Sequence, residues 1–218
     1  MMAQRRRRAR ETDVARILES LPSLPQHHSE GKTLLLTIGL PGSGKSTFCR
    51  RLRPLVNAVI LESDALRQQL FGRPSYSASE SRRLFDAIHE AAGVLLAEGN
   101  NVIVDATNLE EAHRRPLYAI AAERQANLVL LHFSADEEVI AARLEGRAQN
   151  RDALDNSTAG YEVYEAMSRR VEAPLRQHFK VDTSDSFATE AMLQQVAEAC
   201  RAKPSTQAGD VAIGRSGA

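Results

Sequence analysis

The sequence predicts an α/β fold with a parallel sheet, because short apolar segments alternate with longer stretches of helical periodicity. The apolar segments are nearly continuous, as expected for strands covered by helices on both faces. The composition, 43% hydrophobic and 26% charged over 218 residues, is typical of one globular domain with terminal extensions. Full disorder and collagen-like structure are excluded, and no apolar run approaches the roughly 18 residues of a membrane-spanning helix.

Five segments are predicted to form the strands of this sheet, and they are residues 33–38, 58–61, 101–104, 128–133 and 179–182. Each is a short apolar run, and helical patterns lie between them. In parallel α/β sheets, ligands bind outside the carboxyl ends of the strands. We therefore expect the residues that carry chemistry to follow the strands directly.

Helix signals lie between the strands. The spacing in Ser77-Ala-Ser-Glu80 is that of a capping box at a helix start, and Gly99 is placed to end that helix. Ser134-Ala-Asp-Glu137 has the same spacing and predicts the start of a helix after the fourth strand. Pro54 is expected to stop the helix that begins near Lys45.

The two ends of the chain are predicted to lie outside a core domain of residues 32–200. The extension of residues 1–31 carries a basic run, arginines 5–8 with Arg10, and weak helical spacing after it. The run can contact nucleic acid, but a solvated, disordered tail is the simpler interpretation. Residues 201–218 have no periodic apolar face and are predicted to be a disordered tail.

Charge and cysteine content narrow the class of protein. The chain has 28 basic and 28 acidic side chains, so the body outside the basic run carries a net charge of −5. A strongly basic nucleic-acid surface is therefore not expected on that body. Cys49 and Cys200 have neither disulfide-framework nor metal-site spacing, and no secretory signal is visible. A cytoplasmic protein without membrane attachment is the expected class.

The strongest motif is a phosphate loop after the first strand. Residues 39–47 read Gly-Leu-Pro-Gly-Ser-Gly-Lys-Ser-Thr and match G-x-x-x-x-G-K-[ST]. Lys45 can reach the β- and γ-phosphates of a nucleoside triphosphate, and the Ser46 hydroxyl can ligate Mg²⁺. A dinucleotide fingerprint is disfavoured because Thr47 stands where its third glycine is needed. A glycine-rich turn without a ligand is the other alternative. The predicted nucleotide-binding residues are Gly39, Pro41, Gly42, Ser43, Gly44, Lys45, Ser46 and Thr47.

A carboxylate follows the second strand. Asp64 is 19 residues beyond Lys45 and is expected at a strand end that faces the phosphate loop. It can accept the proton of an acceptor hydroxyl, although Asp is also a favoured helix N-cap, and Glu62 is the alternative base. Arg67 is one helical turn later and can hold a polar or anionic part of the acceptor.

The third strand ends in a second acidic position. Asp105 follows three apolar residues, Val102 to Val104, and can hold a water molecule on Mg²⁺. Asn108 can orient the acceptor or Asp64. Turn chemistry is the alternative, because Asp, Thr and Asn all favour strand-to-loop turns.

Arginines after the fourth strand predict a mobile, helical lid. Arg143 and Arg147 are four residues apart and share a helix face, and Arg151 follows. Lid arginines can stabilise charge that develops on a transferred phosphoryl group. A solvated helix with side-chain ion pairs is the alternative. The lid is expected over about residues 143–172.

Together these motifs resemble the kinase domain of phage-type polynucleotide 5′-hydroxyl kinases and related bacterial P-loop kinases. Besides the phosphate loop, Asp64-x-x-Arg67, Ala106-Thr-Asn108-Leu109 and Arg143-x-x-x-Arg147 occur in that order within residues 33–184. The resemblance implies a P-loop NTPase fold of the adenylate-kinase type, with ATP and Mg²⁺ as the phosphate donor. It also implies general-base, acceptor-side and phosphate-binding roles for Asp64, Arg67 and Arg147 respectively.

The sequence therefore predicts an ATP-dependent phosphotransferase that acts on a hydroxyl group. The first candidate acceptor is a polynucleotide or nucleotide 5′-hydroxyl, and the second is a hydroxyl of a sugar, antibiotic or metabolite. A nucleotide-binding regulatory module without useful transfer is a further alternative. Acceptor-dependent release of ADP would separate a kinase from such a module.

Overall fold

The computed structural model describes residues 2–22, 31–149 and 160–201, and the side chains there except those of residues 2–8 and 147–149. Its strands are β1 (Thr33–Ile38), β2 (Ala58–Glu62), β3 (Asn101–Asp105), β4 (Asn127–Ser134) and β5 (Phe179–Asp182). They form one sheet in the order β2-β3-β1-β4-β5, and every neighbouring pair is parallel. The predicted parallel sheet is confirmed, and each observed strand contains the segment predicted for it.

Helices cover both faces of the sheet. They are α1 (Met2–Ser20), α2 (Lys45–Val56), α3 (Ser63–Phe71), α4 (Ala78–Ala97), α5 (Glu111–Glu123), α6 (Glu137–Gln149), α7 (Tyr161–Ser168) and α8 (Ser186–Arg201). Across the residues that the structure describes, none of the helices has the length and apolar character needed to cross a membrane. The predicted tail beyond Arg201 lies outside the described residues.

The sheet is buried on both faces because alternate residues of β1 enter two separate cores. Leu34 and Leu36 pack in the core formed with α1, α3, α4 and α5. Leu35 packs in the second core, formed with α2 and α8. All residues of β1 are buried. The continuous apolar character of this strand thus reflects burial on both of its faces.

Helix α4 begins and ends where the sequence predicts. The Ser77 hydroxyl accepts a hydrogen bond from the Glu80 amide at 3.3 Å, which caps the helix start. Gly99 follows the helix in a left-handed conformation (φ +85°), and its amide donates to the Leu96 carbonyl. The reciprocal half of the capping box differs, because the Glu80 carboxylate accepts hydrogen bonds from Ser75 and Tyr76 instead of the Ser77 amide.

Two helix boundaries differ from those predicted. Pro54 lies inside α2, which continues to Val56, because Leu52 and Val56 are buried in the second core and hold the last turn. Packing there outweighs the single backbone hydrogen bond that a proline removes. Ser134 is the last residue of β4 and pairs with Asp182 of β5, so it does not cap α6, which begins three residues later.

The N-terminal helix continues through the basic run, where the sequence favoured a disordered tail. It packs against α4 through Ile17, which is fully buried, and Val14, which is nearly so. The buried Asp13 carboxylate accepts hydrogen bonds from Arg83 Nε and Nη2 at 2.6 and 2.8 Å. Helix α1 is therefore part of the packed domain.

The direction of α1 determines where the basic run lies. The Arg16 carbonyl accepts a hydrogen bond from Gln69 Nε2 of α3 at 2.9 Å, whereas Arg10 pairs with Glu90 in the second half of α4 at 2.6 Å. The end of α4 leads into β3, so it lies at the edge of the sheet where the strands begin. The backbone of residues 5–8 continues α1 in that direction, away from the carboxyl ends of the strands.

Candidate active site

The phosphate loop connects β1 to α2 at the carboxyl edge of the sheet. Gly44 is the N-cap of α2 and has a left-handed conformation (φ +83°), and a Cβ there would lie 3.0 Å from Thr183. A Cβ on Gly39 would lie 2.9 Å from the Phe133 carbonyl oxygen. Both positions therefore require glycine for close packing against β4 and the segment after β5. The loop brings the positive N-terminus of α2 to the same point.

The groups of this loop fit a bound phosphate chain. Pro41, Gly42 and Ser43 are buried, and Ser43 Oγ has no hydrogen-bond partner in the part of the chain that the structure describes. Lys45 Nζ lies over the loop and donates to the Leu40 carbonyl at 2.8 Å. These donors and the helix N-terminus form the anion-binding arrangement that a nucleoside triphosphate requires.

Two carboxylates lie beside the loop at the ends of neighbouring strands. Glu62 of β2 and Asp105 of β3 are partners in the strand register. Asp105 is 3% exposed, its Oδ1 accepts from Thr37 Oγ1 at 3.4 Å, and its Oδ2 is buried without a partner among the described residues. A buried, unsatisfied carboxylate oxygen near a phosphate loop fits the oxygen chemistry that Mg²⁺ prefers.

The predicted metal ligands are compatible with a magnesium ion held mainly by phosphate. Ser46 lies in the first turn of α2 and is half-buried, whereas Thr47 is exposed. Within the described ranges, His, Cys, Asp and Glu form no group of three that can hold a metal ion. Mg²⁺ is commonly bound through one or two protein oxygens together with substrate phosphates, so Ser46 and Asp105 are sufficient candidates.

Charged side chains of the site act on the pKa of a buried thiol, that of Cys49. Burial raises the pKa of the Cys49 thiol well above its usual value, and the Asp105 carboxylate raises it further. Lys45 acts in the opposite direction, and Glu62 again raises the pKa. Cys49 is therefore a neutral core side chain one turn after Lys45, and it is not a nucleophile at neutral pH.

Asp64 lies in the first turn of α3, directly after the carboxyl end of β2, and is half-buried. The N-cap position of α3 is taken by Glu62, whose side chain makes no capping hydrogen bond. The alternative N-cap role of Asp64 is therefore not realised, and its carboxylate remains the candidate base at the strand edge.

Arg67, the predicted acceptor contact, points toward α4. Its Nη1 donates to Glu80 Oε1 at 2.7 Å, and both side chains are buried. Its Nη2 donates to Ser81 Oγ at 3.3 Å. The structure thus pairs this predicted acceptor contact with a protein carboxylate.

Asn108 is held against β1 instead of reaching across the crevice. It has a left-handed backbone conformation (φ +43°), and its Nδ2 donates to the Thr37 carbonyl at 2.9 Å. Its own carbonyl accepts from Arg114 Nη1 at 2.8 Å. In this arrangement Asn108 orders the loop after β3.

Arg114 of α5 is the centre of a buried hydrogen-bond network that the sequence analysis did not predict. Its guanidinium is fully buried and donates to the carbonyls of Asn108, Leu109 and Glu172 at 2.8, 2.9 and 3.0 Å. The neighbouring Arg115 is exposed. The helical spacing could have predicted the burial of Arg114, because Arg114 lies on the same face of α5 as the buried Leu117.

Arg143 binds the rim of the phosphate loop. Its Nη1 donates to the Gly42 carbonyl at 3.1 Å and to Thr183 Oγ1 at 2.8 Å, and its Nη2 donates to the Thr183 carbonyl at 2.8 Å. Thr183 Oγ1 in turn donates to the Ser43 carbonyl at 3.1 Å. These bonds clamp α6 and the segment after β5 onto the loop. The backbone of Arg147 lies one turn further along α6, while its side chain and all of Arg151 lie outside the described residues.

Most of the chain is similar to known proteins. A family model described as an AAA domain matches residues 34–174. A shikimate kinase of Corynebacterium glutamicum is 30% identical over 151 residues, which cover 54% of this chain and 88% of that enzyme. An L-seryl-tRNA(Sec) kinase of Methanococcus maripaludis is 26% identical over 172 residues, which cover 76% of this chain and 65% of that enzyme.

A longer protein matches as well. An uncharacterised protein of Mycobacterium tuberculosis is 29% identical over 163 residues, which cover 69% of this chain and 32% of that protein. The chain therefore spans about one third of the length of this relative.

Solved structures share the fold. Chaetomium thermophilum Kti12 in complex with ADP-AlF3 matches with a TM-score of 0.62 and 22% identity, covering 77% of this chain and 99% of Kti12. Mycobacterium tuberculosis APS kinase CysC in complex with AMPPNP and APS matches with a TM-score of 0.61 and 16% identity, covering 79% and 99%. The parallel sheet with its surrounding helices is that of P-loop NTPase kinases.

Proposed function

We propose that this chain, a kinase-like P-loop domain, transfers the γ-phosphate of ATP to a hydroxyl group. The chain belongs to the AAA-domain family, whose model matches residues 34–174. The observation that carries the proposal is the meeting of three features at one edge of the sheet. These are a phosphate loop, the buried Asp105 carboxylate with an unsatisfied oxygen, and Asp64 at the neighbouring strand end. The kinases similar to the chain support phosphoryl transfer to an alcohol.

On the donor side, the phosphate loop and Lys45 bind the terminal phosphates. The buried loop amides and Lys45 Nζ supply donors and positive charge where charge is redistributed during transfer. Ser46 and Asp105 are the residues that would hold Mg²⁺, which supplies neutralising charge to the phosphates when bound. Arg143 and Thr183 keep the rim of the loop in place through their bonds to the Gly42 and Ser43 carbonyls.

On the acceptor side, Asp64 accepts the proton of the attacking hydroxyl and orients its oxygen toward the γ-phosphate. A carboxylate in the first turn of α3 is close to the strand edge and remains partly accessible. Arg147 is proposed to approach the transferred phosphate when the lid closes, because its backbone lies one helical turn beyond Arg143. The Arg67 and Asn108 contacts described above belong to the walls of this crevice.

The order of motifs favours a polynucleotide or nucleotide 5′-hydroxyl as the first candidate acceptor, with a role for the basic run in binding the strand. A small-molecule hydroxyl is the second candidate, and two observations favour it. The match to shikimate kinase spans 88% of that enzyme. In addition, α1 carries arginines 5–8 away from the carboxyl edge where Asp64 lies.

Transfer of labelled γ-phosphate tests the proposal. The full chain is incubated with ATP, Mg²⁺ and either a 5′-hydroxyl oligonucleotide or a panel of shikimate, sugars and aminoglycosides. Label on the oligonucleotide that the Asp64→Asn variant does not transfer supports the first candidate. Label on a small molecule alone supports the second. Hydrolysis of ATP that no acceptor stimulates would contradict a kinase and favour a regulatory nucleotide-binding module.

A further inference from the structure

The connection between α3 and α4 encloses an ion pair next to the predicted acceptor side. Arg67 is one helical turn after Asp64, so the two side chains leave the same face of α3. Arg67 and Glu80 are only 7% and 8% exposed. Arg67 Nε is buried without a hydrogen-bond partner in the described part of the chain. The Arg67 guanidinium, to which an anionic group of an acceptor would bind, is therefore enclosed by the protein.

The Glu80 carboxylate has a complete set of donors. Oε1 accepts from Arg67 Nη1 at 2.7 Å and from the Tyr76 amide at 3.2 Å, and Oε2 accepts from the Ser75 amide and hydroxyl, each at 2.7 Å. Four hydrogen bonds approach the full capacity of a carboxylate. Burial alone would raise the pKa of Glu80, but the Ser75 amide, Arg67, the Ser75 hydroxyl and the Tyr76 amide together lower it to about 2. Glu80 is thus ionised at neutral pH.

Tyr76 covers the ion pair from the outside. Its backbone has a left-handed conformation (φ +54°), which non-glycine residues adopt only when their surroundings enforce it. The Tyr76 ring lies 4.9 Å from Arg67 Cζ, within cation–π distance. A strained residue held in this position indicates that the loop is built to keep Arg67 paired and covered.

We infer that Glu80 fills, as part of the protein, the position in which an anionic group of an acceptor would pair with Arg67. The enzyme then selects hydroxyl acceptors that are uncharged at this position, and Glu80 is a specificity-determining residue. This inference rests on the proposed kinase function, because that function makes the crevice beside Asp64 the acceptor site.

Displacing Glu80 would be unfavourable for an anionic acceptor. A phosphate or carboxylate that took Arg67 would leave the buried Glu80 charge without its cation and beside a second negative charge. A neutral hydroxyl compound does not have to displace Glu80, because Arg67 and Glu80 stay paired while the compound binds. The partly buried Asp64 carboxylate, one turn earlier on α3, acts in the same direction.

Titration with inorganic sulfate tests this assignment. In the ADP-loaded protein, whose phosphate loop is filled, the Nε–Hε resonance of Arg67 is followed by ¹H–¹⁵N NMR, with Arg67→Lys used to assign it. We expect no saturable shift in the wild type. In Glu80→Gln, which keeps the shape and removes the charge, we expect sulfate to bind with an apparent affinity at least about tenfold higher. Ser75→Ala, at an exposed position, keeps the charge and is expected to give a smaller gain.

A matched control is available at a second buried arginine. Arg114 Nε donates to Glu111 Oε2 at 2.9 Å, so Glu111→Gln makes the same chemical change elsewhere and should leave Arg67 unaffected by sulfate. Saturable binding of sulfate at Arg67 in the wild type would overturn the inference, as would identical titrations of the wild type, Glu80→Gln and Ser75→Ala. Failure of the kinase proposal is recognised separately, because absent phosphoryl transfer does not alter the sulfate titration.

Discussion

The proposed donor and acceptor halves of the site differ in how their buried polar groups are satisfied. In the donor half, Ser43 Oγ and Asp105 Oδ2 are buried and have no hydrogen-bond partner among the described residues. In the acceptor half, the Glu80 carboxylate is surrounded by donors from Ser75, Tyr76 and Arg67. Within the described part of this second network, only Arg67 Nε lacks a partner.

This difference indicates which half depends on a ligand. A buried polar group without a partner is unfavourable, so the donor half fits completion by phosphate and metal oxygens. In the acceptor half, the buried charges of Arg67 and Glu80 neutralise each other within the protein. The donor half should therefore respond to nucleotide and to loss of its ligand-facing groups, whereas the acceptor half should respond to changes in its own internal partners.

The largest effect is expected at the phosphate loop. Lys45→Ala removes the positive charge over the terminal phosphates and should lower phosphoryl transfer by about 10²–10³-fold. Transfer of labelled phosphate and equilibrium binding of ATP measure the loss. Lys180→Ala, at an exposed lysine of β5, is the matched control and should retain activity. Activity of Lys45→Ala close to that of the control would remove the loop from the mechanism.

The next effect separates the two halves directly. Asp64→Asn keeps the size of the side chain and removes its ability to accept a proton, so transfer should fall by about 10²-fold or more. Binding of ATP should change little, because Asp64 is proposed to act on the acceptor and not on the nucleotide. Asp86→Asn, at an exposed position of α4, is the control. Loss of ATP binding in Asp64→Asn would assign Asp64 to the donor half, as a structural or metal-binding residue.

A smaller effect is expected where α6 meets the phosphate loop. Thr183→Val preserves shape and removes the hydroxyl that accepts from Arg143 and donates to the Ser43 carbonyl. Loss of these bonds should loosen the loop and weaken ATP binding by roughly five- to tenfold. Titration with a fluorescent ATP analogue measures this change. Thr189→Val removes a hydroxyl that donates to the Asp182 and Asp185 carbonyls, and unchanged binding is expected there. Equal effects of the two variants would refute a specific clamp.

The elements that the sequence predicted best are those whose signal is local. The strands, the phosphate loop and the caps of α4 are encoded by adjacent residues, and the structure has each of them. Boundaries set by distant packing were missed. Pro54 stays helical because Leu52 and Val56 are buried, and Ser134 stays in a strand because it pairs with β5.

Partners within the site could not be predicted for the same reason. The motif D-x-x-R gives no information that Arg67 meets Glu80, 13 residues away across a loop in which Tyr76 is strained. Arg143 likewise meets Thr183, which is 40 residues distant. The sequence indicates which side chains can carry charge at the strand edge, whereas tertiary packing decides which of those charges the protein itself neutralises.

The smallest effect on catalysis is expected from substitution of the basic run. This substitution tests whether the N-terminal helix takes part in binding the acceptor. Replacing arginines 5–8 by glutamine preserves the length of α1, the buried Ile17 and the Arg10–Glu90 ion pair. Since α1 carries the run away from the carboxyl edge, transfer to a small acceptor should be unchanged. If the run binds a polyanion, the slope of oligonucleotide affinity against salt should fall by about 3.

The matched control for this helix is Arg16→Gln, because the contact with Gln69 uses the Arg16 carbonyl and the substitution leaves it in place. An unchanged slope of oligonucleotide affinity against salt after the fourfold substitution would show that the run does not bind the oligonucleotide, and would favour a small-molecule acceptor. A loss of transfer to a small acceptor would contradict the geometry, because it would require the run to act at the edge where Asp64 lies. A reduced slope together with reduced phosphorylation of an oligonucleotide would support a strand that passes from α1 to the acceptor side.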